Sequence, residues 1–226
     1  MTSSGSDGDL ATVLARAGLP ADNLLARQAA LPAPLRDLHR LVLAGFAATG
    51  APPAPADLDA WASVHGVDLR HALRELGDTE LVFTDADATA VTGAVPFAAG
   101  VSAHRVAIAG GPQAFANCAV DALGIAAMLD RDITITSTDP GSGEPVTATS
   151  RAGRWSWQPP DAVVFVGSRG TGPITQCCCP VINFFTSVAH ATGYQQQHGL
   201  SGVVLGMAQA ARAGALIFGG LLRDPA

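Results

Sequence analysis

The chain has no lysine, a single tyrosine, and charged residues at only 14% of its 226 positions. All thirteen basic residues are therefore arginine, which we read as a compositional bias and not as mechanism. They never cluster, and the net charge is -6, which argues against a basic surface for nucleic acid or anionic lipid. No window supplies the eighteen or so uninterrupted apolar residues of a membrane span. The opening MTSSGSDGDLATVLARAG lacks the basic segment and apolar run of a secretory signal. These absences point to the cytoplasm, with no membrane and no nucleic-acid partner, and there thiols stay reduced. GSRGTGP at 167–173 lacks the GK[ST] ending of a phosphate loop, so no nucleotide is expected. There is no internal repeat and no CxxC. His190 and His198 do not sit at zinc-finger spacing either.

What is present suits a folded protein, since 48% of residues are apolar. Residues 1–9 read as a polar disordered tail. Residues 10–77 carry apolar positions at helical spacing, broken by Pro and Gly. PAPADLDAWASVHGVDLRHALRELGDTELVFTD has the order helix, turn, helix, strand, a winged-helix-like rhythm. Its second helix offers Arg70, His71 and Arg74, but Asp68, Glu75 and Asp78 surround them. A reading helix needs net positive potential to hold phosphates, so packing or a lid role is the better expectation.

From residue 80 short strands follow, then an alanine-rich buried helix in QAFANCAVDALGIAAMLDRD. ITITSTD, EPVTATS, RWSWQ and AVVFVG read as a four-stranded antiparallel meander, with Trp155 and Trp157 on one strand face. ITQCCCPVINFFTSVAHATGYQQQHG reads as helical, VVLGM as a strand and AQAARAGALIFGGLL as a closing helix. The expected class is α+β: a helical winged-helix-like N-terminal part over 10–90, then a mixed or antiparallel sheet with flanking helices over 91–226.

Only four cysteines occur, and three are consecutive: Cys177, Cys178 and Cys179, with Cys118 apart. Neighbouring residues do not easily reach the Cα separation of a relaxed disulfide, so reduced thiols for a metal or for chemistry fit better. In NCAVD, Asp121 follows Cys118 by three residues and shares its helix face. With Asn117 as the cap, Cys118 lies in the first turn, where the dipole lowers a thiol pKa. Desolvation and a neighbouring thiolate raise the pKa of Asp121 and let it hold a proton near neutrality. Pro180, as the first residue of a helix, makes Cys177–Cys179 the loop leading in, again with thiols poised to ionise. Three adjacent side chains do not all face one core, and soft thiolates select soft ions: mercury, copper(I) or, least well, zinc.

HRVAIAGGPQAFA, NCAVDALGI and, about sixty residues on, CCCPVINFFTS together resemble the organomercurial (alkylmercury) lyases. The similarity runs from about Val95 to Leu222. That family's signature is a cysteine, an aspartate three residues later, and a second cysteine five residues before a Phe-Phe pair. Cys118, Asp121 and Cys179 match these in turn, Cys179 by counting back from Phe184-Phe185. Pro180 and Asn183 stand where the best-known members often have Cys and His, and Cys177 and Cys178 are additional.

The resemblance implies cleavage of a carbon–mercury bond to Hg(II) and a hydrocarbon with no organic cofactor, mercury being substrate and product. It implies Cys118 and Cys179 as mercury-binding thiolates and Asp121 as proton donor to the departing carbon. Cytosolic thiols would take the product, and a mercuric reductase would be a partner. Cys177 and Cys178 are then further metal ligands, read as a relay for Hg(II) or as ligands for another thiophilic ion. The rivals are a soft-metal (Hg/Cu) binding or transfer protein on this scaffold, a lyase-like enzyme acting on another substrate, and a metal-sensing regulator. Tyr194, residues 195–197 and His198 as site lining, and Arg169 as a lid residue, are weaker candidates. A polar helix end and a solvated loop account for them equally.

Overall fold

A computed structural model of the chain describes Leu10, residues 12–15, Ala17 and residues 24–223, so the tail expected at 1–9 lies outside the described residues. The front part holds the helices α1 (Leu24–Ala30), α2 (Ala33–Thr49), α3 (Pro55–His65) and α4 (Leu69–Asp78). Helix α2 buries Leu35, Leu38, Val42, Leu43 and Phe46, a three-to-four spacing that makes one apolar stripe. It ends at Gly50, whose φ of 77° and close approach to the Gln113 carbonyl leave no room for a Cβ. Asp68 caps α4, accepting from the His71 N–H at 2.7 Å. The expected helix–turn–helix–strand order of the front part is present.

Eight strands form one antiparallel sheet: β1 (Val82–Thr84), β2 (Val91–Ala94), β3 (Phe97–Ala98), β4 (His104–Ile108), β5 (Gln113–Ala116), β6 (Ile133–Thr138), β7 (Pro145–Arg151) and β8 (Arg154–Gln158). Their order is β1-β2-β3-β5-β4-β6-β7-β8. Alternation is clean in β4, where His104, Val106 and Ile108 are buried while Arg105 and Ala107 face out. Phe97 of β3 stacks on Phe46 of α2 at 5.3 Å, which ties the front helices to the sheet.

A second antiparallel sheet has the order β10-β9-β11, from β9 (Val163–Ser168), β10 (Asn183–Phe185) and β11 (Ser201–Gly206). This corrects the four-stranded meander. Segments 133–138, 145–151 and 154–158 pair as expected, but AVVFVG starts a different sheet. Five successive residues of β9 are buried, so it needs a partner on each side and cannot sit beside the half-exposed β8. Prolines 159 and 160 break the chain between them.

Between the sheets run α5 (Ala119–Leu129) and α8 (Met207–Phe218). They cross at paired glycines: a methyl at Gly214 would lie 2.7 Å from the Gly124 amide nitrogen. Eight of the eleven residues of α5 are buried, including the charged-type Asp121. The first part of QAFANCAVD is strand, not helix, because β5 completes the sheet before the chain turns into α5. The segment 174–198 is likewise not one helix. It divides into α6 (Ile174–Cys177), a 3-10 turn (Cys179–Val181), β10 and α7 (Val188–His198). Phe184 and Phe185 are wholly buried strand residues, and an amphipathic helix there would have exposed one of them.

Candidate active site

Cys118 is itself the cap of α5, one residue later than expected. Its backbone is extended (φ -151°), and its Sγ accepts from the Asp121 N–H at 3.4 Å. Asn117 instead anchors the preceding turn, donating from Nδ2 to the Phe97 carbonyl at 3.0 Å. The next amide, Ala119 N–H, donates to the Ile182 carbonyl at 3.1 Å. That bond joins the start of α5 to the segment carrying the other three cysteines.

The cysteine run is folded by two short turns of different pitch. Cys177 N–H bonds to Pro173 and Cys178 N–H to Ile174, closing α6. Val181 and Ile182 N–H then bond back to Cys178. The change of turn at Cys178 (φ -115°, ψ -58°) lets all three thiols be buried, contrary to the sequence expectation. They face different neighbours. The Cys177 sulfur donates to the Gly172 carbonyl at 3.3 Å and lies 3.0 Å from the Cys178 sulfur. The Cys179 sulfur meets Cys118 and Asp121. Pro180 lies in the 3-10 turn and does not open a long helix.

Cys118 Sγ, Cys179 Sγ and a carboxylate oxygen of Asp121 all lie within 4.8 Å of one another. All three residues are buried, with 3%, 7% and 5% exposure. Cys177 and Cys178 stand outside this triangle. Asp121 Oδ2 is buried without a hydrogen-bond partner among the described residues. Such an atom is costly as an anion, and burial lifts the Asp121 carboxyl to about pH 7, against a smaller downward pull from its hydrogen bonds with Cys118. The expected raised aspartate is therefore present, through desolvation alone, since its neighbour is a thiol and not a thiolate.

The low thiol pKa expected for Cys118 and Cys178 is not present. Burial pushes Cys118 well up, reinforced by Cys179 and by the Asp121 charge, and this outweighs the Asp121 N–H bond that favours the thiolate. Burial likewise takes Cys178 to about 12, with Cys177, Cys179 and Glu80 adding to it. Position at a helix start does not ionise a thiol that has lost its water.

The three groups line a small cavity of about 50 Å³, walled mainly by Val95, Val120, Ile182 and Phe218. Arg27 of α1 and Glu80, in the turn after α4, complete it from the front part. Glu80, with a left-handed φ of 58°, accepts from the Ile174 N–H at 3.0 Å and so holds the start of α6. Sequence reasoning missed both residues. Neither lies in the part that carries the family pattern, and only the structure brings them to the cysteines. A larger cavity of about 1080 Å³, walled by α1, α2, α5 and α8, contains no cysteine.

The weaker candidates lie elsewhere. Tyr194 packs on Phe185 at 5.2 Å and on His198 at 4.4 Å, against the small sheet. Arg169 bonds Cys177 through its backbone N–H, at 2.8 Å, and its side chain is not in the cavity wall. Trp155 and Trp157 are half-buried on one face of β8 and pack on the core. Asp139, invisible in the sequence reading, is fully buried. It accepts from Thr186 N–H and Oγ1 and from His190 at 3.0 Å, pinning the β6–β7 turn to the end of β10.

No helix of the described residues is long and apolar enough to cross a membrane. No curated protein sequence matches the chain. Among solved structures it is similar to the mercury-bound form of MerB2, at a TM-score of 0.68 and 23% identity, covering 94% of this chain and 98% of that one. That likeness shows the fold. The family model MerB: Alkylmercury lyase matches residues 97–219, more than half of the chain and all of the segment from Cys118 to Cys179. The chain belongs to the alkylmercury lyase family.

Proposed function

We propose that this lyase works through Cys118 and Cys179 as mercury-binding thiols and Asp121 as the acid that protonates the departing carbon. The observation that carries this is the triangle of two sulfurs and one carboxylate oxygen, within 4.8 Å and shut away from bulk water. The substrate arrives as a thiol adduct, R–Hg–SR′. One enzyme thiol forms a sulfur–mercury bond, and its proton leaves on the displaced thiol R′SH. The second thiol then binds mercury, and two sulfur donors push electron density onto the metal and weaken its bond to carbon. That bond breaks with its electron pair on carbon, which takes the Asp121 proton and leaves as RH. The proton of the second thiol restores Asp121. The sum is R–Hg–SR′ plus two thiols giving RH, R′SH and Hg(II) held by two cysteines.

The physical chemistry of the site suits this order. Burial keeps Cys118 a thiol until a soft ion displaces its proton, which spares the dry pocket an uncompensated thiolate there. A carboxyl near pH 7 is matched to giving and regaining a proton at neutral pH. The helical front part (10–90) supplies Arg27 and Glu80 to the cavity, and 91–226 carries the reacting groups. Cytosolic thiols collect the Hg(II), through Cys177 and Cys178 as a first relay, and a mercuric reductase is the natural consumer. No organic cofactor takes part.

Purified protein incubated with methylmercury and excess small-molecule thiol should release methane catalytically, measured in the headspace by gas chromatography. Tight stoichiometric mercury binding without methane would replace this reading with that of a soft-metal binding protein.

A further inference from the structure

The cavity has a sharp division of chemistry. Its floor is buried and apolar apart from the three reacting groups, and about 50 Å³ holds only a few water-sized groups, enough for a short alkyl substituent. Its half-exposed rim contains Ile174, Ile217, Glu80 and Arg27. Glu80 is committed, with one oxygen holding the Ile174 N–H. Arg27 belongs to none of the ion pairs among the described residues. A guanidinium at the rim of an apolar pocket is a fork for one planar anion, and an alkyl group in the floor supplies none.

Two species must pass this rim besides the organic group: the thiol that arrives on mercury and the thiols that remove Hg(II). Resting on the lyase reading, we propose that Arg27 selects a thiol bearing a carboxylate as the mercury carrier. The carboxylate pairs with Arg27 at the rim. Its sulfur then points the metal at the buried thiols. The exchange balances, because the mercury–sulfur bond to the carrier breaks as the bond to the enzyme forms, and the enzyme thiol's proton leaves on the carrier. The same contact assists release, when two carrier thiols take Hg(II) and return two protons to Cys118 and Cys179. An alkyl group offers a guanidinium no anion, so Arg27 sets the choice of carrier and not of substrate carbon.

The test uses methylmercury presented as its adduct with 3-mercaptopropionate, 2-mercaptoethanol or cysteamine: anionic, neutral and cationic carriers of similar size. Wild-type kcat/KM should rank them in that order. Arg27→Gln should cut the preference for the anionic over the neutral adduct by about tenfold, the scale of one charge-assisted hydrogen bond. Arg27→Glu should reverse the order of the anionic and cationic adducts. The ratio between carriers is internal to each variant, so a general loss of folded protein does not imitate the effect. Equal ratios in wild type and both variants would overturn the proposal. If no adduct gives methane, the lyase reading fails instead. The carrier preference is then read from calorimetric binding of the same three adducts, where an unchanged ratio overturns it.

Discussion

The Ala119 amide donates to the Ile182 carbonyl at 3.1 Å, and this backbone bond joins the segment of Cys118 to that of Cys179. Cys118 is the residue before the donor, and Cys179 lies three before the acceptor. The bond therefore helps hold the two cysteine segments together. Ala119 opens α5, a position where proline fits the backbone, and extended Cys118 tolerates a following proline. Ala119→Pro should fold with a stability loss of about 1–3 kcal/mol, from the buried carbonyl left unpaired. Its affinity for Hg(II) should fall further than that of a control with equal melting temperature. Calorimetric unfolding and competitive mercury titration of the same preparation read both.

The three reacting groups should separate kinetically. Cys118→Ser and Cys179→Ser each lose most methane release, since a hydroxyl does not replace a soft ligand. Asp121→Asn keeps the amide volume and the two thiols. It should bind organomercurial nearly as wild type while methane formation slows by about 10²–10⁴-fold, the usual scale of general acid catalysis. Single-turnover methane release against mercury binding makes the comparison. A variant that bound weakly and turned over normally would remove Asp121 from the proton path.

How much of this was legible depends on the distance over which each signal acts. The Cys118–Asp121 spacing is local, and so was the expectation of a buried carboxyl. The cysteine run was legible as chemistry but not as geometry. Three adjacent thiols are buried because the chain changes pitch at Cys178, a tertiary response that no periodicity announces. The dipole argument for low thiol pKa failed for a related reason: local position was read, and the water removed by distant Phe218 and Ile182 was not. AVVFVG was correctly a strand yet joined the wrong sheet, because partner choice is settled by β10 and β11 far along the chain. Arg27 and Glu80 reach the cavity only through docking of the front helices.

Gly124 and Gly214 let α5 and α8 approach until their backbones touch, and α5 carries Cys118 and Asp121 at its start. A methyl at Gly124 meets the Phe218 ring, and Phe218 forms part of the cavity wall. Gly124→Ala should therefore destabilise by about 1–3 kcal/mol, a usual overpacking cost. It should also lower kcat without changing the pH profile. Denaturant unfolding and methane release on the same protein would show both.

The Cys177 and Cys178 sulfurs lie 3.0 Å apart, and neither belongs to the Cys118–Asp121–Cys179 triangle. As a relay they matter after carbon–mercury cleavage. Cys177→Ser/Cys178→Ser should keep a full single-turnover methane burst but slow steady-state turnover when carrier thiol is scarce. Excess thiol should erase the difference. A reduced burst would instead place one of the pair in the cleavage step.

Asp121 makes stability depend on pH in a direction opposite to most carboxylates. Its folded pKa of about 7 lies above its ordinary 3.8, so the folded state binds the proton more tightly than the unfolded chain. The stabilisation from this group is full below about pH 4, declines from there to about pH 7, and is gone above it. Asp121→Asn has no such dependence. The variant should thus gain on wild type by a few kcal/mol across that window, with the gain levelling off at alkaline pH. Cys118 stays a thiol throughout the same range and adds nothing to the slope. Melting temperatures of both proteins between pH 4.5 and 8.5, without mercury, give the difference directly. A flat difference would mean that Asp121 is ionised in the resting site, and the proton for the first departing carbon would then have to come from a thiol.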